Sequence, residues 1–237
     1  MHFLLDILTL LFYLITTGRM PKGRADEQFE INEKAWNTVK NETGNILHRG
    51  FIERQYLLKD FRYGRSRALS RKLFFSGKEL TAADNSCEVI AAFNAMHDIN
   101  LKKKARDRYS FPELIRIFSE KGIAAGGIFG TSPVIIKRVL KDLGYSVKSL
   151  SPAALRKANV DKLEKEYDSF IFTTYNVRYN PVRMIHTMCV SREKTGFMIH
   201  NDYEGSLSYK SLYGAVTGYK GGVGHPFYLI GIKEKEN

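Results

Sequence analysis

The chain has 237 residues, enough for one domain with an extension or for two small domains. Lys and Arg number 37 against 25 Asp and Glu, and the formal charge of +12 favours an anionic partner: nucleic acid, an acidic lipid surface or an acidic protein. Two cysteines, Cys87 and Cys189, exclude a disulfide-rich secreted scaffold and a four-cysteine zinc module, and 15 Phe with 13 Tyr exclude wholesale disorder.

The first element is apolar. Phe3 to Thr17 reads FLLDILTLLFYLITT. As a helix it would be about 22 Å long at roughly 1.5 Å per residue. A hydrocarbon core is roughly 30 Å thick, so the segment is short for a span. No basic residue precedes it and no small-residue cleavage site follows it, as a secretory signal requires. Asp6, Thr9, Tyr13 and Thr16 fall on one narrow stripe of such a helix, opposite a broad face that includes Leu4, Ile7, Leu8, Leu11, Leu14 and Ile15. Arg19, Lys22 and Arg24 follow directly. Residues 1–24 are therefore expected to anchor on an anionic membrane surface, with the basic residues at the headgroups and the main domain cytoplasmic. The competing reading is a helix packed on the protein's own core, in a cytoplasmic protein.

Residues 25–76 read as a basic, mostly helical extension. Phe29, Ile31, Trp36, Val39 and Ile46 recur at loosely helical intervals. Arg49, Arg54, Lys59, Arg62, Arg65, Arg67, Arg71 and Lys72 are opposed only by Glu53 and Asp60. Tyr63 among these arginines resembles some RNA- or phosphate-binding strips, yet neither a zinc finger nor an aromatic RNP signature is present. A solvated face is the leading reading. Lipid contact ranks next, and nucleic acid is the weakest partner.

Asp84-Asn85-Ser86-Cys87-Glu88 precedes VIAAFNAMH. Asn85 with Glu88 reads as a capping box, and Val89, Ala92, Phe93 and Met96 form a helical apolar face. Cys87 then falls in the first turn, where the helix dipole favours a thiolate. A buried, inert cysteine is the alternative. Ser110-Phe111-Pro112-Glu113 opens a further helix that stops at Gly122. IAAGGIFGTSP, from Ile123 to Pro133, lacks the Gly-Lys-Ser/Thr of a phosphate-binding loop. Gly126, Gly127 and Gly130 instead let a loop pass close to a cleft or to another backbone. Ser132-Pro133 caps the next helix, which ends at Gly144.

The period then changes. Strands are expected over Ser146–Leu150, Ser169–Tyr175 and Phe227–Ile232, with a hairpin from Arg183 through the Arg192–Gly196 turn to Asn201 and a short helix over Ser208–Val216. Helices first and an antiparallel sheet after make the fold class α+β. His186 lies on the first hairpin strand and Asp202 follows the second. Asp202 or Asn201 can therefore reach the His186 ring, fix its tautomer and leave the other nitrogen to take a thiol proton. A strand histidine satisfied by backbone neighbours is the competing reading. His186, Cys189, His200, Asp202 and His225 offer metal-ligand chemistry, but no ligand spacing supports it, and alternation puts His186 and Cys189 on opposite faces. No metal and no cofactor are expected.

Asn85-Ser86-Cys87 opening a helix, His186 starting a hairpin and Asn201-Asp202 ending it resemble the papain-like cysteine peptidases, closest to the bacteriocin-leader (double-glycine) peptidase branch. The Gly-Thr-Ser-Pro turn and the helix ending Leu143-Gly144-Tyr145 resemble that branch too. The likeness covers residues 77–237, and residues 1–76 lie outside it. It implies a papain-like fold, with a helical lobe bearing the cysteine at a helix N-terminus and an antiparallel sheet lobe after it. It further implies a thiol protease, or a related acyl-transfer enzyme, acting on a peptide or protein substrate. Cys87 would be the nucleophile, His186 the base and then acid, and Asp202 the orienting group, with Asn85 and Asn201 as oxyanion or orienting candidates. Two positions depart from the pattern. Thr81 stands where the family carries an oxyanion-stabilising Gln, whose loss typically costs about 10²- to 10³-fold in rate. Glu88 replaces a Gly and sets a negative charge beside the thiolate. They support an alternative: a catalytically impaired papain-like module that binds peptides and is tethered to a membrane.

Overall fold

The computed structural model describes residues 2–41, 46–64, 80–176, 185–202, 207–219, 221 and 226–235. Its helices are α1 (His2–Thr16), α2 (Lys22–Asn41), α3 (Ala82–Asn85), α4 (Cys87–Lys102), α5 (Phe111–Lys121), α6 (Pro133–Asp142), α7 (Lys157–Glu166) and α8 (Leu212–Gly218). Strands β5 (Tyr145–Leu150), β6 (Ser169–Tyr175), β7 (Ile185–Glu193), β8 (Gly196–His200), β9 (Leu207–Tyr209) and β10 (Pro226–Glu234) form one antiparallel sheet in the order β5-β10-β6-β7-β8-β9. The class is α+β.

Helix α4 is apolar almost all round, as a helix sunk in a core must be. Val89, Ile90, Ala91, Ala92, Ala95 and Ile99 are buried, and the alanines allow close approach to the sheet. Ile171, Cys189, Ile230 and Ile232 meet α4 from one face of the sheet. Phe170, Phe172, Met188, Val190, Phe197 and Ile199 point the other way, into a second core shared with α7 and α8. Strand β6 is covered on both faces, so its sequence SFIFTTY shows a run of buried positions rather than alternation. Helix α5 starts as expected. Ser110 Oγ accepts from Glu113 N at 3.4 Å, and the Glu113 carboxylate accepts from Ser110 N at 2.6 Å.

Residues 46–64 depart from the expected helix. They form β2 (Leu47–His48), β3 (Phe51–Ile52) and a single 3₁₀ turn over Gln55–Leu57. Arg49-Gly50 turns the β2–β3 hairpin with φ of 52° and 88°, which two consecutive helical residues cannot adopt. A Cβ on Gly50 would lie 2.1 Å from the His97 ring, so the turn also needs glycine for space. Ile52, Leu58, Phe61 and Tyr63 join Trp36 of α2 in the core around α4. Arg65, Arg67, Arg71 and Lys72 of the basic strip lie outside the described residues. The short helix expected over Ser208–Val216 begins later. Ser211 caps it by accepting from Gly214 N at 3.0 Å, and the residues before Ser211 pair with β8 as β9.

Helix α1 is inverted. Its polar stripe faces the protein: Asp6, Thr9 and Tyr13 are buried, and Tyr175 Oη donates to Asp6 Oδ1 at 2.9 Å and contacts Thr9 Oγ1 at 3.2 Å. Leu4, Leu8, Leu11, Leu14 and Ile15 face outward. Beyond the helix, β1 (Thr17–Gly18) pairs with β4 (Ile123–Ala124), and Phe12 packs edge-on against Phe129. Among the described residues no helix is long and apolar enough to cross a membrane.

Candidate active site

Cys87 is the first residue of α4, but its cap is not the expected one. The single-turn α3 intervenes, closed by Thr81 and Asp84: Asp84 Oδ2 accepts from Thr81 Oγ1 at 2.8 Å and from Thr81 N at 3.3 Å. Thr81 is thus spent on a helix start. Ser86 occupies the cap of α4 and turns its hydroxyl back to the Ala82 carbonyl at 2.6 Å. Asn85, expected as cap or oxyanion donor, gives its amide to the Gly127 carbonyl at 3.0 Å. The glycine loop passes close by, as expected of it. A Cβ on Gly127 would lie 2.6 Å from Gly64 Cα, and one on Gly130 would lie 2.8 Å from Asn85 O.

Glu88 does not reach back to a cap. It is buried and accepts from Cys87 Sγ at 3.3 Å, from the Thr131 backbone N–H and from the Thr187 hydroxyl. Burial pushes its carboxyl up to about 7 against those hydrogen bonds. The same surroundings reverse the expectation for the thiol. Burial and then the Glu88 charge push Cys87 well above the usual range, and the Thr187 and Glu88 backbone N–H groups offset this only in part. Tyr13 of α1 lies within the field of this pair: burial, then Glu88, Cys87 and Tyr175, hold its hydroxyl above its ordinary value.

His186 is buried on β7 opposite Thr174. Its Nε2 donates to the Asn201 carbonyl at 2.7 Å. A carbonyl can only accept, so Nε2 carries the proton and Nδ1 is the accepting nitrogen. Burial pulls the ring down to about 4, with the Asn201 carbonyl pushing back, so it is neutral at pH 7. The described hydrogen bond that orients the ring therefore comes from the backbone of Asn201, and Asp202 is the next residue, also buried. Alternation separates His186 from its neighbour. Thr187 faces α4, where its hydroxyl meets Thr173 at 3.0 Å and Glu88, whereas His186 lies on the face of Met188 and Val190. Among the described residues, the hydrogen bonds of Cys87 run to Glu88 and to Thr187, not to the His186 ring.

Three residues that the sequence reading did not connect with Asn201, namely Glu53, Gln55 and His200, hold its corner. Asn201 has a φ of 62° and donates its backbone N–H to Glu53 Oε2 at 3.0 Å. Its side-chain oxygen accepts from Gln55 N at 3.2 Å, and its amide donates to Gln55 Oε1 at 3.3 Å. Gln55 Nε2 in turn donates to the Ala82 and Ala83 carbonyls at 3.2 and 3.4 Å. One glutamine side chain thus spans from the turn before Cys87 to the residue that orients His186. His200 stacks on Phe51, with 3.9 Å between ring centroids, and bonds through Nδ1 to Glu53 Oε1 at 2.6 Å and through Nε2 to Ser191 Oγ at 2.7 Å. Burial raises the Glu53 carboxyl, but the His200 hydrogen bond and charge and the Asn201 N–H outweigh it and leave it below its ordinary value. Glu53→Gln is expected to cost about 1–3 kcal/mol in urea unfolding at pH 7. A depressed carboxyl stabilises above its unfolded pKa, so the difference from wild type should shrink as the pH falls below about 4.

Cys189 is fully buried, 3.8 Å from Ser169 Oγ, and burial followed by Asp98 pushes its thiol up. It is a packing residue. Among the described residues no cluster of His, Cys, Asp and Glu is placed to hold a metal ion, and His225 lies outside them. Comparison with models of protein families, with curated proteins and with solved structures returns no match.

Proposed function

We propose that the chain is a thiol acyl-transfer enzyme of the papain-like type, a cysteine peptidase or close chemical relative acting on peptides, with its nucleophile at rest protonated and covered. The observation that carries this reading is the Gln55 bridge, which ties the turn before Cys87 to Asn201 and so to His186. A neutral imidazole with Nε2 tied to a carbonyl is in the tautomer that a thiol's base requires. The Thr187 N–H that reaches Cys87 belongs to the residue next to that base. A bound peptide would bring its carbonyl to Cys87. For the chemistry the His186 ring would have to swing from the Met188–Val190 face toward Cys87 and take the thiol proton; the sulfur would attack the carbonyl, and the leaving amine would receive the proton back. Water or a second amine would then accept the acyl group.

A second reading, the catalytically impaired peptide-binding module, is favoured by one contact: Cys87 hands its hydrogen bond to a carboxylate. Incubation with a pool of peptide vinyl sulfones and mass spectrometry of the tryptic fragments separates the two. The enzyme reading expects an adduct on Cys87 in wild type that is lost in His186→Ala while the fold, judged by circular dichroism, persists. An absent adduct, or one indifferent to His186, leaves the binding module.

A further inference from the structure

We propose that the outer face of α1 is a docking surface for an anionic lipid bilayer. The argument is independent of the thiol chemistry. An amphipathic helix on a protein normally buries its broad apolar face and shows its narrow polar one to water. Here the polar stripe is inside, and Leu8, Leu14 and Ile15 stand 55%, 56% and 81% exposed, continuous with Leu4, Ile7 and Leu11. The orientation is fixed rather than incidental. Tyr175 holds Asp6 and Thr9, Phe129 holds Phe12, and the β1–β4 ladder holds the residues that follow the helix.

The chemistry of the face selects the occupant. Asp6, the acid of this helix, is turned inward and bonded to Tyr175, so the outward side presents aliphatic side chains without a carboxylate. Exposed Arg19, Lys22 and Arg24 follow its C-terminal end in the chain and supply the cations that headgroup phosphates attract. A second copy of the chain would bring the same basic cluster, on a molecule of charge +12, against its own kind. A face of Leu and Ile also offers no polar atom to specify a protein partner. An aliphatic surface followed closely in the chain by cations matches an acyl layer under anionic headgroups.

Co-sedimentation of the full chain with vesicles tests this. Binding is expected to vesicles of phosphatidylcholine mixed with phosphatidylglycerol and to be much weaker with phosphatidylcholine alone. Leu8→Glu with Leu11→Glu should weaken binding by more than roughly a hundredfold. Lys22→Gln with Arg24→Gln should weaken it roughly fivefold per charge. Both pairs sit on the exposed side, and a thermal melt matching wild type confirms that they fold; Leu14→Ser gives a third, milder variant. The proposal is overturned if wild type binds neither vesicle, if the Leu8/Leu11 variant binds as wild type does, or if sedimentation without lipid shows a dimer that this variant abolishes.

Discussion

Glu88→Gln is expected to make the protein more stable above pH 7 and its thiol more reactive. The carboxyl of Glu88 is pushed up to about 7, so the folded chain holds this proton more tightly than the unfolded one. Its stabilising contribution is full below the unfolded pKa of roughly 4.3 and is lost as the pH rises through the folded value. Above pH 7 the native state carries a buried charge at a cost on the order of 3 kcal/mol. Glutamine keeps an acceptor for the Thr131 N–H and the Thr187 hydroxyl and removes that charge. Urea midpoints plotted against pH should coincide for the two proteins near pH 4 and diverge, variant above wild type, through neutrality. The same charge raises the Cys87 thiol. Iodoacetamide should therefore alkylate wild-type Cys87 more slowly than a free thiol, and the variant about tenfold faster than wild type. Parallel stability profiles and equal alkylation rates would show that Glu88 is already neutral at pH 8.

Trp36→Ala should lower stability by about 3–5 kcal/mol. The indole sits among Phe61, Phe93 and Phe111, with ring centroids 6.2, 5.7 and 5.9 Å away. Those rings come from the 46–64 segment, from α4 and from α5, so one side chain joins α2 to the helix that carries the cysteine. For a chain of this length the melting temperature should fall by about 10 °C, and Trp36→Phe should keep more than half of the loss from occurring. The buried Cys189 reports on the far side of α4. Its labelling by a thiol reagent should follow the same transition as circular dichroism in the Trp36→Ala protein. A labelling midpoint that stays at the wild-type temperature would mean that α2 and the sheet unfold as separate units.

The fold was legible where local chemistry dominates. Ser110 with Glu113 announced α5, the doubly covered run SFIFTTY announced β6, and the Arg192–Gly196 turn announced the β7–β8 hairpin. The sequence places the cap of the Cys87 helix one residue early, because Thr81 and Asp84 open a separate four-residue helix that ends at Asn85 and leaves the cap to Ser86. The polar stripe of α1 was visible in the sequence, but its direction was not. That depended on Tyr175, far away in the chain. The Glu53, Gln55 and His200 contacts cross about 150 residues, and no spacing rule reaches so far. The face of His186 needed the β6–β7 register, which the hairpin turn alone does not supply.

Gln55 and Glu53 limit where the chain can be shortened. A fragment beginning at residue 77 would retain sulfur, imidazole and both residues of the Asn201-Asp202 pair, yet lose the side chains that clamp Asn201. Residues 46–64 therefore belong in any shortened form of the chain in which the Asn201 corner is to keep its shape.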